Sequence, residues 1–429
     1  MSKHRIYIKT FGCQMNKNDS DVIYALISSA GHEPAQDPQD ADVYLVNTCS
    51  VRAHAEKRAV GHITSMKKWR IASAERVLGV IGCMAQKMGA DIAVRFPYVD
   101  LVLGPDSYAQ IHRHIDNICA NRTKIIDTSL SDTTYCGIYH NPRGITDFVS
   151  IMRGCDNFCS YCVVPFVRGR ARSRPAEDII TEIAGLVAGG VKDITLLGQN
   201  VNEYSYSNIG FDDLLSMVAE RTSVFRLRFL TSHPKDLKPS IIGAVSKHRN
   251  VCDWFHLPLQ SGCDRILSLM NRSYTAAAYS NLVAQIRNTL PEATVTTDII
   301  AGFPTETDAE FEQTLTLLEK IRFDNIYMYY YSPREGTEAA KLEILPEEKR
   351  KHRLQTLIDL QNRIFKERMN EMVGKTYEVL FESGSLSGGA RGKTRGNTDV
   401  IVREKIAPGE IRQVLISEVH GITPVGVIQ

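Results

Sequence analysis

The sequence contains no run of about 18 apolar residues, so no segment is expected to cross a membrane as a helix. It has no lopsided charge: 51 Lys and Arg against 49 Asp and Glu leave a formal net charge of +2. That excludes a global pull on nucleic acid and confines any RNA site to a local patch. Met1-Ser2-Lys3-His4-Arg5 leads straight into a strand-like run, with no apolar core segment and no small-residue cleavage site, so a secretory signal peptide is not expected. The ten cysteines are then expected in the reducing cytoplasm, where thiols serve metals or chemistry and rarely pair as disulfides. With 429 residues, 43% apolar and 23% charged, the chain is globular in composition and long enough for two or three domains.

What is present is organised around Arg153-Gly154-Cys155-Asp156-Asn157-Phe158-Cys159-Ser160-Tyr161-Cys162, a CxxxCxxC array. Three thiolates on one tight loop can hold three irons of a cubane [4Fe–4S] cluster and keep the fourth iron open to a small ligand. An open metal position is the mark of a catalytic site. The competing reading is a zinc knuckle, but zinc wants four protein ligands and no second CxxC or His pair follows at close range. The array, with an aromatic residue before its last cysteine, resembles the signature of the radical S-adenosylmethionine enzymes.

Residues 1–140 carry a second pattern. Three short apolar runs, Arg5–Gly12, Ala41–Thr48 and Arg76–Gly82, end directly at Cys13, Cys49 and Cys83. Helix-like segments, Asp19–Ala30, Arg52–Trp69 and Ala85–Phe96, follow them. The cysteines are 36 and then 34 positions apart, about one βαβ unit. Parallel strands joined by right-handed crossovers bring their C-terminal ends to one sheet edge, where open α/β sheets bind ligands. Three cysteines far apart in sequence can therefore converge on one cluster, again with one iron open. Gly12 and Gly82 suit the sharp turn required there. Three small core residues are the alternative reading. Cys119 reads as packing, Cys136 lies in a polar linker (Ser131–Thr146), and Cys252 and Cys263 have no paired spacing.

From residue 141 to 371 strand and helix alternate. The candidate strands are Phe148–Arg153, Asp193–Leu197, Arg226–Leu230, Trp254–Leu259, Thr294–Ile300 and Asn325–Tyr331. Six β/α units predict a complete or partial parallel barrel with its site at the C-terminal strand ends. Polar residues just after the strands are candidate cofactor contacts: Gln199, Asn200, Ser232, His233, Gln260, Ser261 and Asp298, with Tyr161 near an adenine. Each is equally readable as a satisfied strand-end group or core aromatic. His233 and His256 each stand alone on their loops and read as hydrogen-bonded packing. Arg168, Arg170, Arg172 and Arg174, if extended, put four guanidinium groups on one face, suited to phosphate or to a solvated edge.

Residues 372–429 follow a long charged helix, Pro346–Val373. They read as short strands with Gly-rich turns, a small antiparallel barrel of the OB type. Arg391, Lys393 and Arg395 cluster on one loop, as a phosphate patch or a solubilising loop.

Over essentially the whole chain this order resembles the methylthiotransferase family. The matching motifs are Phe11-Gly12-Cys13-Gln14-Met15-Asn16, Asn47-Thr48-Cys49-Ser50-Val51-Arg52, Gly82-Cys83-Met84-Ala85 and Gly154 to Cys162. Gly392-Lys393-Thr394-Arg395-Gly396-Asn397 is similar to that family's TRAM domain, which binds tRNA. Asn157-Phe158-Cys159-Ser160-Tyr161-Cys162-Val163-Val164-Pro165 is most similar to the MiaB branch. The resemblance implies methylthiolation at C2 of N6-isopentenyladenosine at position 37 of tRNA. It implies two [4Fe–4S] clusters, on Cys155, Cys159 and Cys162 and on Cys13, Cys49 and Cys83. S-Adenosylmethionine would supply both the methyl group and the radical. The implied partners are the tRNA anticodon stem-loop, a low-potential electron donor of flavodoxin or ferredoxin type, and a sulfur or Fe–S donor. Sister enzymes acting on threonylcarbamoyl-adenosine or on a ribosomal-protein aspartate are the nearest alternatives. A non-catalytic iron–sulfur RNA-binding protein is the alternative from another class.

Overall fold

The structure, a computed structural model, describes residues 3–50, 53–384 and 388–429; Val51 and Arg52 of the second cysteine motif lie outside the described residues. The N-terminal sheet has six parallel strands, in the spatial order Glu33–Pro34, Arg5–Thr10, Val43–Thr48, Val77–Gly82, Leu101–Leu103, Ile125–Asp127. Val43–Thr48 and Val77–Gly82 are buried at every position, as strands covered on both faces must be. Alternate residues feed two cores. Ile6, Val43, Leu45 and Ile81 meet helices Gln14–Ser29 and Ile111–Asn121. Tyr44, Val46, Leu78 and Val80 meet helix Ala53–Ser65 on the other side. The two strands after Phe96, Leu101–Leu103 and the edge strand Ile125–Asp127, are only three residues each and do not stand out in the sequence.

The central part contains six parallel strands in chain order around an arc. Thr146–Ser150, Asp193–Leu197 and Arg226–Phe229 form one run. Trp254–His256, Thr294–Ala301 and Asn325–Tyr330 form the next, joined to the first by a parallel bridge between Leu227 and Val251. Among the described residues nothing pairs the last strand with the first, so the barrel is partial. Helix Gln14–Ser29 packs on the first strand instead, where the Asn18 amide donates to the Phe148 carbonyl at 3.0 Å.

Helix Glu347–Asn370 runs along the last barrel strand into a closed five-stranded barrel, in the order Thr376–Gly384, Ala390–Thr394, Asp399–Val402, Thr423–Ile428, Ile411–His420. This is the OB order. One pairing, Ile401–Val402 with Val425–Gly426, is parallel, where the sequence suggested antiparallel strands throughout. Arg226 and Arg228 tie this barrel to the strand-start end of the central one, donating to the carbonyls of Lys393 (2.7 Å) and Thr394 (3.0 Å). No helix among the described residues is long and apolar enough to cross a membrane.

The connection between the first two parts is held by His140, whose imidazole lies 3.1 Å from Asp147 Oδ1 and 3.3 Å from Glu182 Oε1. Burial disfavours its charge, but hydrogen bonds and charges from Asp147 and Glu182 outweigh that and push it up from 6.5 to about 10. A histidine raised on folding stabilises fully below its unfolded value, and the effect fades as pH rises through the folded value. Urea midpoints should therefore fall between about pH 6.5 and pH 10, and His140→Gln should flatten that part of the profile. An unchanged slope in the variant would assign the loss to other groups.

Candidate active site

The strands ending at Cys13, Cys49 and Cys83 are direct neighbours in the sheet, so all three thiols reach the same edge. Gly12 (φ +129°) and Gly82 (φ +96°) make the turns. A Cβ on Gly12 would lie 2.4 Å from Cys49 Cβ, and one on Gly82 would lie 2.4 Å from the Thr48 carbonyl oxygen, so only glycine fits. A buried amide network fixes the edge. Asn16 Oδ1 accepts from the Cys13 backbone (3.4 Å) and thiol (3.3 Å), and its Nδ2 donates to Asn47 Oδ1 and Thr48 O, both at 3.1 Å. Asn47 Nδ2 donates to Ser20 Oγ and Asn16 O, both at 2.9 Å. The Cys49 hydrogen bond pulls the Cys13 thiol down to about 6 against its burial, with Arg168 assisting. Burial pushes Cys83 up, and Arg168, whose Nε donates to Cys83 Sγ at 3.2 Å, opposes it.

The second thiol set sits on the loop after the first barrel strand. Gly154 (φ +77°) packs so closely that a Cβ there would lie 1.9 Å from the Arg170 carbonyl. The Gly154 amide donates to Gln199 Oε1 at 2.5 Å and the Cys155 amide to the Gly169 carbonyl at 3.3 Å. Each sulfur has an N–H donor: Asn157 to Cys155 (3.4 Å), Arg272 to Cys159 (3.4 Å) and the Val164 amide to Cys162 (3.5 Å). Such donors favour thiolate and tune a bound cluster. Burial nevertheless pushes Cys162 up to about 12, with Cys159 adding to it.

Both sets open on one cavity of about 300 Å³, lined by Cys13, Cys49, Cys83, Cys155, Cys159 and Cys162 together. None of the six is joined in a disulfide. Four buried polar atoms of lining residues have no protein partner: Arg168 Nη1, Ser232 Oγ, His233 Nε2 and Gln260 Oε1. Buried polar groups without partners fit an occupant that brings its own donors and acceptors. The donor set suits two clusters, each held by three thiolates, beside a small polar ligand.

The sequence-predicted contacts Tyr161, Gln199, Asn200, Ser232, Gln260 and Asp298 all line this cavity. Not all offer a hand to a ligand. Gln199 braces Gly154. The Asn200 amide nitrogen donates to Asp236 (2.7 Å) and Glu203 (3.3 Å), and its oxygen accepts from the His233 backbone (3.0 Å), so it is an internal brace. Ser261 turns away to Thr314. His233 Nδ1 accepts from the Lys235 amide, and burial, with Arg272 and Lys235, lowers its basicity to about 2 and keeps the ring neutral. His256 is held by Thr296 (3.1 Å) and Asp298 (3.6 Å). Cys119, Cys136, Cys252 and Cys263 do not line the cavity. Sequence reasoning missed Arg272, Asn157, Asn16 and Asn47. Asn16, Asn47 and Asn157 lie inside the cysteine motifs, which was the available signal; nothing in the spacing marked Arg272.

The arginine face is overturned. Helix Val164–Arg168 ends at Gly169 (φ +71°), only Arg172–Ser173 is extended, and the side chains diverge. Arg168 is buried on Asp19 (2.6 Å), Arg172 pairs with Asp106 (2.9 Å) and Arg174 with Glu182 (2.6 Å) and Asp178 (2.5 Å). Only Arg170 is exposed, beside Asp156 and over the Phe158 ring. In the C-terminal barrel Arg395 is taken up by the carbonyls of Arg249 (2.6 Å) and Val251 (2.9 Å), fastening the two barrels together. Arg391 and Lys393 share Asp399 at the surface.

A partial parallel β/α barrel with three thiols on its first loop defines a radical S-adenosylmethionine type of protein. The Radical SAM superfamily model matches residues 149–318, and the Uncharacterized protein family UPF0004 model matches residues 5–104. Among solved structures the fold is similar to the radical S-adenosylmethionine methyltransferase TsrM from Kitasatospora setae (TM-score 0.60, 13% identity, 76% of this chain and 73% of that one). It is also similar to the cobalamin-dependent radical enzyme OxsB (TM-score 0.57, 9% identity, 84% and 56%). A tRNA-2-methylthio-N(6)-dimethylallyladenosine synthase of Porphyromonas gingivalis is 42% identical, over 93% of this chain and 89% of its own length. Another from Thermodesulfovibrio yellowstonii is 38% identical, over 98% and 97%. The chain belongs to the family of tRNA-2-methylthio-N(6)-dimethylallyladenosine synthases.

Removing one partner of a buried ion pair costs about 3–5 kcal/mol, whereas an exposed pair contributes about 0–1 kcal/mol. Arg174→Gln should therefore lower unfolding free energy by several kcal/mol in urea titration, and Arg170→Gln should change it little. Comparable losses in both would contradict the divergent arrangement.

Proposed function

We propose that this chain attaches a methylthio group to C2 of N6-(dimethylallyl)adenosine at position 37 of tRNA, with residues 1–140, 141–371 and 372–429 as its sulfur, radical and RNA-binding domains. The observation that carries the reading is the single cavity shared by six thiols from two separate segments. C2 of adenine bears an unactivated C–H bond that no side-chain base removes at useful rates, so the target requires radical chemistry. S-Adenosylmethionine with two [4Fe–4S] clusters supplies that chemistry, the methyl group and the sulfur.

The chain's own residues hold, orient and screen. Cys155, Cys159 and Cys162 hold the first cluster, with Asn157, Arg272 and the Val164 amide donating to their sulfurs. Cys13, Cys49 and Cys83 hold the second. Ser232 and Gln260, with unpartnered oxygens in the cavity, bind the polar groups of S-adenosylmethionine, beside Tyr161 and Asp298. Arg391 and Lys393 are the remaining phosphate contacts of the C-terminal barrel, and the target base turns out of the RNA stack to reach the cavity. The chain's partners would be a low-potential electron donor of flavodoxin or ferredoxin type and a sulfur or Fe–S donor, in the cytoplasm.

Under anaerobic reduction with S-adenosylmethionine and dimethylallyl-modified tRNA, the wild-type protein should form 2-methylthio product. Cys159→Ala should abolish both 5′-deoxyadenosine and product, read by mass spectrometry. Cys83→Ala should keep deoxyadenosine formation and lose the methylthio product. Methylthiolation by Cys83→Ala would remove the role given to the N-terminal thiols.

A further inference from the structure

The register of the last two barrel strands sets Asp298 beside Tyr327 and Ile300 beside Tyr329. Residues opposite each other on neighbouring strands point to the same face. Asp298 lines the six-cysteine cavity, so Tyr327 and Tyr329 share the cavity's face of the sheet. The residues between them confirm the alternation: Ile299, Ile326 and Met328 pack on the opposite side, in the main core.

Two tyrosines facing into a barrel would normally be covered. Here Tyr327 is 40% exposed and Tyr329 37%, because no further strand closes the barrel beyond Asn325–Tyr330 among the described residues. The wall is also stiff. The Tyr327 ring meets the His256 ring edge-on, with centroids 5.5 Å apart, and His256 is held in turn by Thr296 and Asp298. An exposed aromatic face on the strand next to Asp298, beside a cavity with thiols and unpartnered polar atoms, is a surface on which a planar base stacks.

We propose that Tyr327 and Tyr329 form the stacking wall for the target nucleotide, receiving the purine and its N6 dimethylallyl substituent at the open edge of the barrel. This rests on the reading that the substrate is a prenylated adenosine in RNA. The wall replaces the stacking lost when the base leaves the RNA. The apolar substituent adds surface against the tyrosine rings that plain adenine lacks. The wall therefore selects the modified base, while phosphate contacts elsewhere hold modified and unmodified RNA equally.

The test uses the full-length, cluster-loaded protein and an anticodon-arm hairpin RNA carrying either N6-dimethylallyladenosine or adenosine. Dissociation constants come from fluorescence anisotropy, and methylthio product from mass spectrometry. The wild type should bind the modified hairpin more tightly. Tyr327→Ala/Tyr329→Ala should weaken the modified hairpin on the order of tenfold or more and leave the unmodified one nearly unchanged, erasing the preference. The Tyr→Phe pair should restore it. If the double variant loses iron, Tyr329→Ala and Tyr329→Phe decide the matter by the same preference. An alanine variant with full iron content and undiminished preference overturns the stacking wall. A wild type that neither prefers nor methylthiolates the modified hairpin overturns the functional reading and the wall with it. A wild type that methylthiolates while the alanine variants keep their preference overturns the wall alone.

Discussion

Asp19 has no contact with solvent and accepts from two guanidinium groups, Arg153 at 3.0 Å and Arg168 at 2.6 Å. All three side chains are buried, so none of the charges can be left without its partner at small cost. Asp19 lies on the helix that starts at Cys13, Arg153 stands two residues before Cys155, and Arg168 donates onward to Cys83. One carboxylate thus joins the helix behind the first thiol triad to the strand that carries the second. The partial barrel requires such a joint: among the described residues no strand pairs with the outer side of its first strand, and helix Gln14–Ser29 covers that edge. The same contact that covers the first strand's edge brings six sulfurs to one cavity.

Around that joint the two ends of the barrel have different tasks. The strand C-termini carry thiols, orphaned polar atoms and the exposed tyrosines. The strand starts carry Arg226 and Arg228, which grip the C-terminal barrel by its backbone carbonyls. Arg226 also reaches the Glu378 carboxylate (3.0 Å), and the bonds to Lys393, Thr394 and Arg395 depend on the backbone of the hairpin Ala390–Val402 and not on its side chains. The side chains of Arg391 and Lys393, which share Asp399 at the surface, take no part in the joint, whereas Arg395 is drawn into it.

The large periodic features were legible in the sequence. Three runs ending in cysteine read correctly as adjacent parallel strands because the fold fixes handedness and edge. Six β/α units read as a barrel with the CxxxCxxC loop at its functional end. What could not be read was the destination of single polar side chains. The arginines from 168 to 174 alternate like a strand, but Gly169 breaks the run, and buried carboxylates capture three of them: Asp19 and Asp106 from far off in sequence and Glu182 from the following helix. Asn200 follows a strand as a ligand contact should, yet its amide is saturated by Asp236, Glu203 and His233. Arg272 touches Cys159 from a loop with no motif at all. Pattern gives the address of the site, whereas its electrostatics depend on long-range pairs that only the folded chain defines.

The proposed reading puts one cluster on each thiol triad, both in one cavity. Electron paramagnetic resonance of the fully loaded, reduced protein tests it most directly. Two clusters in one cavity should give spectra broadened by magnetic interaction, resolving to simple isolated signals when either Cys13, Cys49 and Cys83 or Cys155, Cys159 and Cys162 are replaced together by alanine. A loaded wild-type spectrum equal to the plain sum of those two isolated signals would contradict it.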